Sequence, residues 1–431
     1  MKKSAKPNQG RSVVLSFVGT GNYQPANYLF PDETVSTSTF FGRALVRYRT
    51  SQGQKPDAVI VFGTAGSVWQ RIIDNEDTDR LDETAFAPLD PLHQLPTDAQ
   101  PATRDDAAMQ SLLDQAAPTL ATCYGVETFY PRVIGMCTDP AEHQALMGML
   151  MDTLEPGDRV TLDITHAFRH LPVLIAFMLT GLRWLRDIEV ERIWYGMFPE
   201  RGSNSLPRAV DLSEAARIEH MGANLATYRH TGVFVQFADS FPAASDAMRK
   251  AHLFEATNQP DKGMGAAREV QEALRRSSGG IPPFDAEIKD ELIDRLDWHC
   301  ERTWEGRYLA RAERALAFGD YITALVMERE SMLATIQRFI DPTADGAGYN
   351  ADVDQKEIQD WVRDNLSGDE RSVYERLRIV RNCVSHGARP PRGPIGKILS
   401  DEAKLKRLLR DGIELARNLA EDLRRCDAES T

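Results

Sequence analysis

Cysteine is scarce in this chain of 431 residues: five are present, at positions 123, 137, 300, 383 and 426. Their number is odd and no two stand at metal-ligand spacing, which excludes a disulfide framework and a cysteine-based zinc module. A reduced, cytoplasmic setting is the expectation from that usage. Long apolar runs are also lacking. None reaches the ~18 uncharged residues of a membrane helix, so no membrane partner is expected. The apolar run from Leu171 to Leu182 is too short to span and reads as a buried helix. The N-terminus is basic and polar without an apolar segment, so no secretory signal is expected. Basic charge is outnumbered as well, 51 Lys and Arg against 64 Asp and Glu, and the net −13 argues against general coating of nucleic acid.

The chain is long enough for two or three domains. Its first half alternates β-rich runs with helical patterns. Val13 to Val18 reads as a buried strand that enters the turn Gly19-Thr-Gly-Asn-Tyr23. The glycines permit positive φ and let a ligand approach the backbone. Gln24 stands where a full G-x-G-x-x-G fingerprint needs its third glycine, so no dinucleotide cofactor is inferred. Thr39 to Arg49 reads as an amphipathic helix. Asp57 to Phe62 is a second strand, followed by the turn Gly63-Thr-Ala-Gly66 and a helix bearing Trp69. Repetition of strand, glycine turn and helix points to a parallel α/β sheet. Residues 71–106 carry ten acidic and three basic residues with four prolines, and read as an excursion or partly mobile loop without catalytic residues. The sequence assigns no role to residues 71–118.

Further strands are expected at Phe129 to Met136, Arg159 to Thr165 and Val190 to Phe198. Helices are expected over Asp139 to Leu154 and from the His166 region to about Arg186. Asp163, Thr165, His166 and Arg169 crowd the end of one of those strands. Open parallel sheets bind ligands just beyond the carboxyl ends of their strands. A hydroxyl, an imidazole and a guanidinium there suit a phosphate or a base. The plainer alternative is that Thr165 caps the following helix and Asp163 pairs with Arg169.

From Leu206 onward the pattern is helical. Helices are expected over Ala243 to Asn258, Gly265 to Arg276, Ala286 to Trp304, Tyr308 to Phe318, Tyr321 to Ile340, Glu357 to Asn365, Arg371 to Ser385 and Glu402 to Arg425. In the helix that ends near Ser385, Leu377, Val380 and Val384 share one face. Gly387 is a C-cap signal, and Pro390 and Pro391 prevent the helix from resuming. His386 then stands at the negative end of the helix dipole, where a protonated imidazole is favoured. Arg381 precedes it by five positions, about 140° around the axis, so one helix presents the pair poorly to a single ligand atom. Two copies packed about a twofold axis would line one cleft with two Arg and two His, a set suited to phosphodiester cleavage. A surface Arg and a helix-ending His that merely caps is the alternative. From Arg371 to Arg410 there are 11 Lys and Arg against 3 Asp and Glu, either a solvated face or a guide for a polyanion. Glu328 and Arg329 either reach that cleft or form a solvated pair.

Residues 163–169, Asp-Ile-Thr-His-Ala-Phe-Arg, resemble the D-x-T-H-x-x-R signature of CARF domains, the Rossmann-like sensors of CRISPR systems. Ala167 stands where such signatures often carry Gly. Phe17 to Tyr23 and Val61 to Thr64 are similar to that family's first strands and turns, so the resemblance covers roughly residues 12–205. Arg381-Asn-Cys-Val-Ser-His386 resembles the R-N-x-x-x-H motif of HEPN ribonucleases. Together the two halves resemble the CRISPR-associated CARF–HEPN ribonucleases of type III systems.

The resemblance implies an α/β Rossmann-like CARF domain over residues 1–205, a helical connector over 206–232 and an all-α HEPN domain over 233–431. It implies a cyclic oligoadenylate activator, cyclic tetra-adenylate first, held by Gly19, Thr20, Gly21, Asn22, Thr64, Asp163, Thr165, His166 and Arg169. It also implies cleavage of single-stranded RNA in a homodimer cleft by Arg381, Asn382 and His386. The reaction would use no metal or other cofactor and leave a 2′,3′-cyclic phosphate. A cyclic-nucleotide-responsive regulator or scaffold, and a ring nuclease that degrades its own activator, are the alternatives the residues leave open.

Overall fold

The computed structural model describes residues 10–21, 23–95, 105–198, 205–277, 284–343, 355–385, 387 and 392–429. Asn22, His386, Pro390 and Pro391 lie outside the described residues, as do 96–104 of the acidic excursion. The chain forms two compact units, Met1–Arg217 and Ile218–Thr431. The first is α/β and the second is all-α.

The α/β unit is built on β1 (Ser12–Phe17), β2 (Ala26–Leu29), β3 (Val35–Ser38), β4 (Ala58–Gly63), β5 (Thr128–Val133), β6 (Arg159–Asp163), β7 (Glu189–Met197) and β8 (Arg208–Asp211). They form one sheet in the order β3-β2-β8-β7-β6-β1-β4-β5. The run β7-β6-β1-β4-β5 is parallel throughout. The central strands β1 and β4 are buried along their whole length because both faces are covered. Alternate residues of β1 serve the two faces: Val14 packs on one side, Val13, Leu15 and Phe17 on the other.

The first face carries α1 (Phe41–Ser51), the short helices α2 (Asn75–Arg80), α3 (Glu83–Phe86) and α4 (Asp90–His93), and α5 (Asp106–Tyr124). The second carries α6 (Pro140–Thr153) and α7 (Leu171–Arg186). From β1 the chain adds β4 and β5 on one side, then crosses back to place β6 and β7 on the other. The order therefore reverses between β1 and β6, and their carboxyl ends frame the crevice where such sheets bind ligands.

Two features of this unit depart from the sequence expectation. The sheet is mixed at one edge, where β8 runs antiparallel to β7 and β3 antiparallel to β2. These strands are four residues long, too short for a clear period-two signal. The acidic stretch is not simply a loop: its described part holds α2 to α4, with Leu89 and Leu92 fully buried. It leads into the 19-residue α5, started by the Asp105 side chain and ended by Gly125 at φ 67°.

In the second unit α8 (Glu214–Thr231), which begins at the end of the first, leads to α9 (Ser245–Ala256), α10 (Pro260–Arg276) and α11 (Phe284–Arg295). Then come α12 (Trp304–Ala317), α13 (Tyr321–Ile340), α14 (Gln355–Asn365), α15 (Gly368–Ser385), α16 (Pro394–Leu399) and α17 (Glu402–Glu429). One core joins α8 to α11 and another joins α13, α14, α15 and α17. The expected single helix from Ala286 to Trp304 is broken. Trp298 turns into the core and donates its Nε1–H to Glu255 Oε1 at 2.8 Å, and the Thr303 side chain starts α12 by accepting from Gly306 N–H.

Glu328 on α13 is not a member of a solvated pair. It is fully buried, and neither carboxylate oxygen has a hydrogen-bond partner among the described residues. A Cβ at Gly412 of α17 would come within 2.8 Å of its Oε1 and 2.6 Å of Leu377 Cδ1, so glycine makes the room for it. Burial raises its pKa well above the ordinary carboxyl range. The folded state thus disfavours ionisation: its stability is highest below the ordinary pKa and falls as pH rises toward the folded one. Glu328→Met is expected to raise stability, and with it the unfolding midpoint, the gain being ~1–3 kcal/mol at pH 8 and less at pH 5. An unchanged midpoint at pH 8 in thermal unfolding would contradict this account.

Candidate functional site

At the switch point the loops after β1 and β6 are in direct contact. A Cβ on Gly19 would lie 2.4 Å from the carbonyl oxygen of His166, so only glycine allows this approach. Gly19 N–H donates to the Tyr23 hydroxyl at 2.7 Å, and the Tyr23 ring lies on the His166 ring with centroids 4.1 Å apart. Phe40 stacks near the same imidazole at 5.6 Å. The first N–H of α1, that of Phe41, donates to His166 Nε2 at 3.3 Å. No side chain of its own caps α1, so this imidazole takes up one of its unpaired donors.

His166 is therefore clamped by both loops and by α1. With Nε2 accepting, the neutral ring carries its proton on Nδ1. Burial lowers its pKa to about 4. Asp163, at the end of β6, is fully buried. It accepts from Ser16 Oγ at 2.5 Å and from Thr165 N–H at 2.8 Å. Burial raises its pKa to about 6 although both bonds favour the carboxylate. Thr165 Oγ1 accepts from Gly196 N–H of β7 at 2.8 Å, which ties the loop to the next strand.

The capping alternative is not what forms. The chain makes a turn over residues 164–170 before α7 starts at Leu171, and Thr165 caps nothing. Asp163 is taken by Ser16 and Thr165, while Arg169 is exposed with no partner among the described residues. Thr64 is buried and holds its own turn: its N–H donates to Ser67 Oγ at 2.9 Å and its carbonyl accepts from Trp69 Nε1 at 2.9 Å. Thr20 is half-buried and Gly21 exposed beside Tyr23. The crevice is thus lined by Thr20, Gly21, Thr165 and Arg169, with Asp163, His166 and Thr64 shaping it from within. Ser16, Tyr23 and Phe41 complete the frame and were not foreseen as site residues. A lone hydroxyl in the apolar run Val13 to Val18 is the signal that points to Ser16.

In the helical unit, Leu377 and Val380 of α15 are buried, and Gly387 follows at φ 58° as a left-handed cap. Arg381 lies half-buried near the end of α15. Its Nη1 donates to Asn382 Oδ1 at 3.3 Å, while its Nε is buried without a partner among the described residues. Arg381 and Arg329 both favour the charged form of Glu330, whose pKa burial nevertheless raises. Arg329 lies over the Tyr374 ring, 5.3 Å from its centroid.

No protein-family model matches the chain. It is 26% identical over 216 residues to the CRISPR-associated protein MJ1674 of Methanocaldococcus jannaschii, which is 47% of this chain and 33% of that protein. The chain thus spans about a third of the length of this curated relative. A solved structure of Enterococcus italicus Csm6 bound to cyclic hexa-2′-fluoro-hexa-dAMP superimposes with a TM-score of 0.33 at 11% identity, over 96% of this chain and 94% of that one. That likeness is too distant to bear on function.

Because the folded pKa of His166 is depressed, its contribution to stability is present above about pH 6.5 and is lost as pH falls through about 4. Between pH 7 and pH 4 the wild type should lose on the order of 2 kcal/mol more stability than His166→Gln, which keeps an acceptor for Phe41 N–H. Denaturant titration across this range checks it, and parallel curves for the two proteins would refute the clamp.

Proposed function

We propose that the chain is an endoribonuclease of type III CRISPR defence that cuts single-stranded RNA when a cyclic oligoadenylate binds its α/β unit. The observation that carries the catalytic reading is Arg381: a half-buried guanidinium on α15 whose Nε has no partner among the described residues, five residues before a histidine. The likeness to a CRISPR-associated protein over 47% of the chain supports the biological setting.

The 2′-hydroxyl of the substrate attacks the adjacent phosphorus. The bond to the 5′-oxygen of the next nucleotide breaks, leaving a 2′,3′-cyclic phosphate and a 5′-hydroxyl. His386 moves the proton that this exchange requires. Arg381 holds the charge that grows on the phosphorane oxygens, and Asn382, bonded to it, orients it. The attacking oxygen belongs to the substrate, so neither a metal nor an activated water is needed. Arg381→Ala and His386→Ala are each expected to abolish cleavage of a labelled RNA while activator binding persists. Cleavage near the wild-type rate in both would remove this active site.

The ligand of the α/β unit sits, in this reading, on Thr20, Gly21, Asn22, Thr165 and the exposed Arg169. Cyclic tetra-adenylate is the first activator to test. Cleavage should appear only with an activating ring and persist in EDTA. Arg169→Ala should raise the activator concentration needed for half-maximal cleavage roughly tenfold or more. An unchanged activation curve would count against this crevice.

A homodimer would complete the ribonuclease cleft. Val173, Phe177 and Trp184 of α7 are 56%, 75% and 60% exposed and lie within about 40° of one helical face. Tyr195 and Met197 of β7 are also exposed and share the sheet face that α7 covers, as Ile193 does. Apolar groups of this size gathered on one surface mark an interface, here with a second copy of the chain. Replacing both Phe177 and Trp184 with Glu should convert a dimer to a monomer in light scattering and abolish RNA cleavage. A monomeric wild type would exclude the two-chain cleft.

A further inference from the structure

The helical unit holds a second polar pocket, apart from α15. It has a volume of about 290 Å³ and lies between the end of α8, α9, α11, α12 and the start of α13. This is at the small end of ligand pockets, which begin near 300 Å³. Its wall contains the guanidinium groups of Arg295 and Arg311.

The carboxylates beside it are already engaged. Glu255 accepts from Arg295 Nη2 at 2.9 Å and from Trp298 Nε1 at 2.8 Å. Asp320, exposed at the rim, accepts from Thr323 N–H at 3.0 Å at the start of α13. Arg311 makes no ion pair among the described residues, although Glu255 and Asp320 both favour its charged form. It is 6% exposed, its Nη2 donates to the backbone carbonyl of Glu255 at 3.2 Å, and its Nη1 has no partner among the described residues. Arg295 Nε is likewise buried and unpartnered. The nearby Arg314 spends its donors on the carbonyls of Arg295 and Asp294.

Arg295 thus takes the nearest carboxylate, that of Glu255, and Arg311 is left with Asp320 at longer range. A buried cation without a direct ion pair is costly, and a bound anion would offset that cost. Phe318, Ala315 and Ala256 give the same pocket an apolar side. We propose that this pocket binds a small phosphomonoester, its phosphate against Arg311 and Arg295 and its organic part against Phe318. The site is independent of both the α/β crevice and the ribonuclease residues.

The test is calorimetric titration of the full chain with phenyl phosphate and, separately, inorganic phosphate. Phenyl phosphate carries no purine and so does not report on an adenylate crevice. Saturable one-site binding is expected, tighter for phenyl phosphate because of the apolar side, and unchanged in Arg169→Ala. Arg311→Met should weaken it by roughly tenfold or more. Loss of a buried guanidinium can also unfold the helices, so Ala256→Glu serves as a second variant. Residue 256 is exposed, and a carboxylate at the mouth should repel the anion by a similar factor without touching the core. Absence of binding by either probe to the wild type, equal binding by Ala256→Glu, or loss of binding in Arg169→Ala would each overturn the proposal.

Discussion

The α/β unit depends on one close approach, that of Gly19 to the carbonyl of His166. Two loops that leave neighbouring parallel strands would ordinarily diverge, each carrying its own polar backbone into solvent. Here the missing side chain at residue 19 lets them meet, and the consequences run outward. Tyr23 folds back onto Gly19 N–H and presses on the imidazole, and the imidazole in turn supplies the acceptor that α1 lacks. Beneath them Asp163 binds Ser16 across β1 and β6, with both side chains sealed from water. A single steric allowance thus sets the shape of the crevice, the orientation of α1 and the protonation of two buried groups. The outermost described side chains, Thr20, Thr165 and Arg169, line the open side of the crevice.

The helical unit is organised by a different constraint: polar groups buried with too few partners. Glu328 lies in the packing of α13, α15 and α17 with both oxygens unmet. Arg381, on the face of α15 that meets α13, leaves its Nε unmet among the described residues as well. Such groups cost stability wherever they are enclosed. α17, by contrast, buries a long face of leucine, isoleucine and alanine.

Much of this was legible in the residues. The strands that carry the crevice are runs of β-branched and aromatic residues, and their boundaries follow from the turns beside them. Tyr321–Ile340 is a helix of the expected length because its apolar spacing is unbroken. The Asp163 to Arg169 cluster falls at a strand end, as its composition suggested. The roles within it were not legible. A sequence presents Asp163, His166 and Arg169 as three polar groups of one kind, whereas burial makes two of them internal struts and leaves one exposed. The short edge strands and the break at Trp298 escaped for a related reason: each is decided by partners far away in the chain, Pro207 for Leu29 and Glu255 for Trp298.

The residues by themselves determined the α/β-then-helical order, the glycine turns, the strand-end polar cluster and the capped end of α15, because hydrophobic period and turn chemistry are local properties. Tertiary structure alone decided which polar groups face inward, which carboxyls lose their water, and that β1 and β6 lie side by side with their loops touching. Those outcomes depend on desolvation and on contacts between segments more than a hundred residues apart, such as Ser16 with Asp163, and no local pattern encodes them.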